Sequence, residues 1–130
     1  MKLIKSLFIL SIILESTISY SQAEKPVDCK ILKNCKLLYV AEPSTADYVL
    51  INNNKHTEYL QNGKYYIKSD LNWVDDCEYN ATITEITVPD FPFKTGEVMN
   101  VKFKKIEAGM VYGVSTVRGE KYPVLFKLSK

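Results

Sequence analysis

His56 is the only histidine in the chain, and Glu58 follows at the spacing that puts two side chains on one face of a strand. An imidazole beside a carboxylate is the simplest general acid–base pair. The expectation for this polar segment is plainer, a hydrated pair on the wet face of a sheet. No Ser, Cys or Lys stands in a nucleophile context. Cys35 would be reactive if exposed, but a buried and inert thiol is the stronger expectation. Asp75, Asp76 and Glu78 surround one turn, where carboxylates could serve calcium. Their spacing matches no calcium loop, so a solvated turn is expected. Three Cys with His56 match no zinc pattern, and neither a metal nor any cofactor is expected. Asn80-Ala81-Thr82 is a glycosylation sequon only on a eukaryotic secretory route.

Aromatic residues offer a different chemistry. Tyr65, Trp73, Tyr79, Phe103, Tyr112 and Phe126 are candidates to line a ligand cavity, or else to fill a solid core. Phe91-Pro92-Phe93 is a Pro-bounded segment whose two rings are costly to expose. They either cap one end of the fold or form a contact patch for a partner.

The elements that would hold these residues begin after a leader. Met1-Lys2-Leu3-Ile4-Lys5 is positively charged, Leu7 to Leu14 is almost wholly apolar, and Ser19-Tyr20-Ser21-Gln22-Ala23 is rich in small residues. This is the pattern of a secretory signal peptide over 1–21, with cleavage after Ser21 or, as the second choice, after Ala23. A buried N-terminal helix would show polar residues at helical period, and this run shows almost none. The expectation is an exported protein, periplasmic or secreted.

The whole chain has 130 residues, 46% hydrophobic and 25% charged, with a formal net charge of +2. That suits one globular domain, over 22–130, and excludes collagen-like, coiled-coil and charge-driven disordered chains. Removing Lys2, Lys5 and Glu15 with the leader brings the charge closer to zero, so nothing favours a nucleic acid or an anionic membrane as partner. No apolar run reaches the roughly 18 residues of a membrane span.

Cys29, Cys35 and Cys77 all follow the leader, and export favours a disulfide with one thiol left over. The pairs 29–35, 29–77 and 35–77 are all open. A bridge to Cys77 closes the longer loop and would stabilise the domain by on the order of 4 kcal/mol.

From residue 36 onward the pattern is β. Residues 36–41 and 47–52 are short apolar runs, separated from a more polar strand over 56–60 by Asn52-Asn53-Asn54. Gln61-Asn62-Gly63 contains the strongest short hairpin signal. Tyr65, Ile67, Leu71 and Trp73 then alternate with Lys64, Lys68, Asp70 and Asn72, a period of two. Residues 77–87 place Cys77, Tyr79, Ala81 and Ile83 on one face. Residues 88–97 carry two Pro and one Gly and form the one long loop. Strands over 98–106, 110–117 and 121–128 follow. They place Met99, Val101 and Phe103 inward, Met110 and Tyr112 on one side, and Tyr122, Val124, Phe126 and Leu128 on one face. About eight strands joined mostly by tight turns favour an antiparallel meander. Closing it removes two costly edges. The expected fold is an all-β, small up-and-down barrel, lipocalin-like in the loose sense, with a strongly curved open sheet as the alternative. No helix is expected after the leader.

Three stretches also carry a resemblance: Cys29 to Leu37, Ile51 to Tyr59, and Tyr66 to Tyr79, the last with Trp73 followed four residues later by Cys77-Glu78-Tyr79. Together they resemble a family of small secreted proteins of flavobacteria and their relatives that share a Trp-x-x-x-Cys-Glu-Tyr motif. The resemblance covers most of residues 29–80. It implies that Cys29 and Cys77 are the regular disulfide pair and that Cys35, where the family usually has Gly, is the free thiol. It brings no activity.

The functional expectation is a non-enzymatic binding module of the cell envelope. Its partner would be a small apolar molecule in the barrel, or an envelope protein at Phe91 and Phe93. An enzyme inhibitor or structural interaction protein with a filled core is the alternative, and a hydrolase using His56 the third reading.

Overall fold

The computed structural model describes residues 27–40 and 47–129, so the expected leader lies outside the described residues. Among the described residues, eight antiparallel strands follow one short 3-10 turn, Lys30–Lys33. They are β1 (Cys35–Tyr39), β2 (Tyr48–Asn52), β3 (Lys55–Leu60), β4 (Tyr65–Asp75), β5 (Glu78–Ile86), β6 (Val98–Glu107), β7 (Met110–Val117) and β8 (Glu120–Ser129). Each strand pairs with its chain neighbour, and β1 pairs with β8 through Leu37↔Leu128 and Tyr39↔Phe126. The sheet is therefore a closed barrel rather than an open curved meander.

The turns explain the short connections. Asn53-Asn54, Ala108-Gly109 and Arg118-Gly119 each place two successive residues at positive φ. That is the two-residue hairpin geometry whose twist matches the flanking strands, and Gly109 and Gly119 adopt it without a Cβ penalty. The long loop over 87–97 joins β5 to β6, where the Pro and Gly content placed it.

Alternating side chains build the core. Leu37, Val49, Ile51, Ala81, Val101 and Val111 are buried in the core cluster. Lys residues on the same strands face outward, and some lie over neighbouring rings: Lys36 Nζ is 4.4 Å from the Tyr48 ring centroid, and Tyr48 stacks on Tyr59 at 5.0 Å. Three register shifts interrupt the pairing, at Lys68/Ser69, Trp73/Asp75 and Phe103/Lys105. Each is a bulge that adds one residue to one strand and increases the local twist that closure requires.

The two ends of the barrel differ. One is shut by the 3-10 turn: Leu32 is fully buried, and Cys29 bonds to Cys77 in the β4–β5 turn. Lys33 extends this plug, with Nζ 3.2 Å from Asp76 Oδ1 and 5.6 Å from the Trp73 ring centroid. The pairing implied by the family resemblance is thus the one present, and Cys35 is the free cysteine. The plug is also a short helical turn that strand periodicity did not announce. The other end carries the β3–β4 and β7–β8 turns and the 87–97 loop.

Candidate functional site

Above the plug the interior is not filled. A cavity of about 390 Å³ occupies the end of the barrel away from the disulfide. Met99, Val101, Val117, Val124 and Phe126 form its apolar walls, and Pro92, Phe93 and Tyr122 stand at its mouth. Tyr79 forms the floor, with Trp73 edge-on at 5.1 Å and Phe103 at 5.8 Å beneath it. The polar residues of the lining are Tyr39, His56 and Ser115 together with the tyrosines of the floor and mouth.

The loop at the mouth is tied down. Arg118 donates to both carboxylate oxygens of Glu97, at 2.5 and 2.8 Å, and its guanidinium carbon lies 5.1 Å from the Phe93 ring centroid. The Arg118 hydrogen bond, with help from the Lys94 amide, holds the Glu97 carboxyl below its ordinary range. Phe93 meets Phe91 edge to face at 5.6 Å. Both rings are half-buried, and Phe93 caps the cavity.

His56 reaches this site because β3 pairs His56 with Ile51 and Ser69, both inward-facing. It is 6% exposed, packs 5.9 Å from the Tyr79 ring, and its Nδ1 has no hydrogen-bond partner among the described residues. Burial lowers the imidazole pKa to about 4, so the ring is uncharged at neutral pH. Glu58, paired with Val49 and Ile67, also faces inward and accepts a 2.6 Å hydrogen bond from Tyr39 Oη. Burial pushes the Glu58 carboxyl upward, against the opposing effect of the Tyr39 hydrogen bond, and the Asp47 charge adds to the rise. Burial and then the Glu58 carboxylate push the Tyr39 phenol upward as well.

These positions correct the expected hydrated pair. The polarity of the segment suggested the wet face, but the register of β3 turns both His56 and Glu58 into the barrel. Glu58 bonds to Tyr39 and not to the histidine, so the two do not form a dyad.

The aromatic candidates divide. Tyr79 and Phe126 line the cavity, while Trp73 and Phe103 pack below it in the core. Tyr65 starts β4 half-buried, outside the lining, with Lys64 Nζ 5.2 Å from its ring centroid. Tyr112 is 40% exposed and lies on the outer surface opposite Lys105. The inward set on β7 is Val111, Gly113, Ser115 and Val117. Sequence reasoning missed Ser115 and Val117 for this reason. It also assigned no face to Tyr39, which lies in a run too uniformly apolar to show alternation. Met99, Val101 and Val124 were legible as inward residues.

The remaining groups are occupied locally. Asp75 Oδ1 accepts from the Cys77 amide at 2.7 Å, Asp76 pairs with Lys33, and Glu78 accepts from Asn100 Nδ2 at 2.9 Å. No group of three or more His, Cys, Asp or Glu able to hold a metal occurs among the described residues. Cys35 Sγ donates to the Leu32 carbonyl at 3.4 Å, and burial raises its thiol pKa to about 11, which leaves it a poor nucleophile. No helix among the described residues is long and apolar enough to cross a membrane.

Fold and site together define a one-mouthed, closed antiparallel β-barrel with an apolar cup and a narrow polar strip inside it. Comparison with protein-family models, with curated proteins and with solved structures returned no match.

Proposed function

We propose that the protein is an exported, non-enzymatic binding module that holds one small, mainly apolar molecule inside the barrel, in the loose manner of a lipocalin. The observation that carries this reading is the cavity of about 390 Å³, walled by apolar side chains and closed at one end. Its size falls within the roughly 300–1,000 Å³ range of small-molecule sites. A leader-like N-terminus and a disulfide support export to an oxidising compartment, the cell envelope or beyond. The packing of Phe93 over the cavity supports a cap in preference to a patch reserved for a protein partner. A hydrolase built on His56 has little support, because Nδ1 has no partner among the described residues and the Glu58 carboxylate bonds to Tyr39 instead.

The test is saturable binding of N-phenylnaphthylamine, an uncharged apolar dye that brightens when desolvated. One site per barrel is expected. Val124→Trp, which fills the cavity from a half-buried position, should abolish binding while circular dichroism remains that of the parent. A folded Val124→Trp variant that binds as well as the parent would place the dye elsewhere and end this reading. Native mass spectrometry of protein purified from its own envelope would then weigh the natural ligand.

A further inference from the structure

Resting on the cavity reading above, we infer that His56 anchors an uncharged hydrogen-bonding head group, so that the ligand is a neutral, alcohol-like amphiphile rather than an anion or a cation. The first support is geometric. His56 lines the cavity and is buried, and its Nδ1 has no protein partner among the described residues. Unused hydrogen-bonding capacity on a buried ring is costly, and a hydroxyl bound against the imidazole in the cavity would use it.

The second support is the charge inventory. Among the described residues, no Lys or Arg lines the cavity. Arg118, a cation near the mouth, is engaged by both oxygens of Glu97 and packed on Phe93. An anionic head would therefore be buried without a counter-charge. A cationic head fares no better, because Glu58 is not part of the lining and already accepts from Tyr39.

The third support is the chemistry of the polar strip. A neutral imidazole offers one donor and one acceptor, which is what a hydroxyl needs. Burial keeps the ring in that form above about pH 4. Ser115 contributes a second uncharged hydroxyl to the same lining, and the apolar body of the ligand meets Val101, Val117 and Phe126.

The experiment is displacement of N-phenylnaphthylamine at neutral pH by decanol, decanoate and decylamine, in the parent, His56→Phe and His56→Gln. In the parent, decanol should compete at concentrations about tenfold or more below the two charged chains. Measured against that variant's own dye affinity, His56→Phe should weaken decanol about tenfold and remove its advantage over the charged chains. His56→Gln, which restores an uncharged donor and acceptor, should recover most of the decanol affinity. Equal or better competition by decanoate or decylamine would overturn the inference. So would decanol affinity unaffected by His56→Phe. If the dye binds but shows no head-group preference, only this inference fails. If the parent binds no dye, the cavity reading fails and takes the inference with it.

Discussion

At the scale of single residues, the molecule keeps two ionisable groups on one inward strand face, and burial moves them in opposite directions. His56 falls from an ordinary 6.5 to about 4 in the folded protein. Between those values the unfolded chain binds a proton that the folded chain does not. Stability must therefore fall as pH drops from above 6.5 towards 4, and level off below. The full effect is on the order of 3 kcal/mol. Glu58 has the opposite sign. Its folded pKa lies above the ordinary carboxyl value, so its contribution is complete at acid pH and is lost as pH rises through the folded value. Urea midpoints across this range should show a shallower acid limb in His56→Phe. Glu58→Gln, which retains an acceptor for Tyr39, should gain stability at neutral pH relative to acid pH. An acid limb unchanged by His56→Phe would mean that the imidazole titrates as if exposed. The residue types were legible in the sequence, but their environment was not. Polar composition points to water, whereas the partners across β3, Ile51 and Val49, decide the face.

At the scale of elements, β6 and β7 show how packing overrides the weight of side chains. Reading β7 by hydrophobicity favours Met110 and Tyr112 over Gly113 and Ser115. The folded strand does the reverse, because the Phe103 ring already occupies the space in front of Gly113. A Cβ built there would approach the Lys102 carbonyl oxygen to 2.8 Å and the Phe103 ring to 3.3 Å. Gly113→Ala should therefore destabilise the protein by roughly 1–3 kcal/mol, the usual cost of overpacking, measured by chemical unfolding. Tyr112→Ala removes outer-face cross-strand contacts, among them the one with Lys105, and should cost less, about 1 kcal/mol. The bulge at Lys104 lies beside this pair and lets Ile106 face Val111 once the register has shifted. Strand positions were readable from alternation and turn residues. Bulges were not, because an extra residue leaves no mark in a period of two until two strands are paired.

At the scale of the whole molecule, the barrel is a cup whose base is stapled and whose rim is held by Arg118 and Glu97. The staple joins residues 48 apart and brings the plug onto the β4–β5 turn. Loop-closure entropy assigns such a bridge on the order of 4 kcal/mol. The double variant Cys29→Ser/Cys77→Ser should lower the thermal midpoint clearly, and Cys35→Ser should leave it near the parent. A clear loss in Cys35→Ser alone would show that this thiol, not the bridge, secures the base. By itself the amino-acid order determined the all-β character, the strand count, the long loop and the near-neutral charge. These follow from local rules: side chains alternate every second residue, and Asn and Gly tolerate positive φ. Only the tertiary structure decided which face of β3 and β7 turns inward, that the core stops short of the mouth, and that a lone imidazole ends inside it. Those outcomes depend on volumes contributed by residues far apart in the chain, and such volumes meet only when the first strand closes on the last.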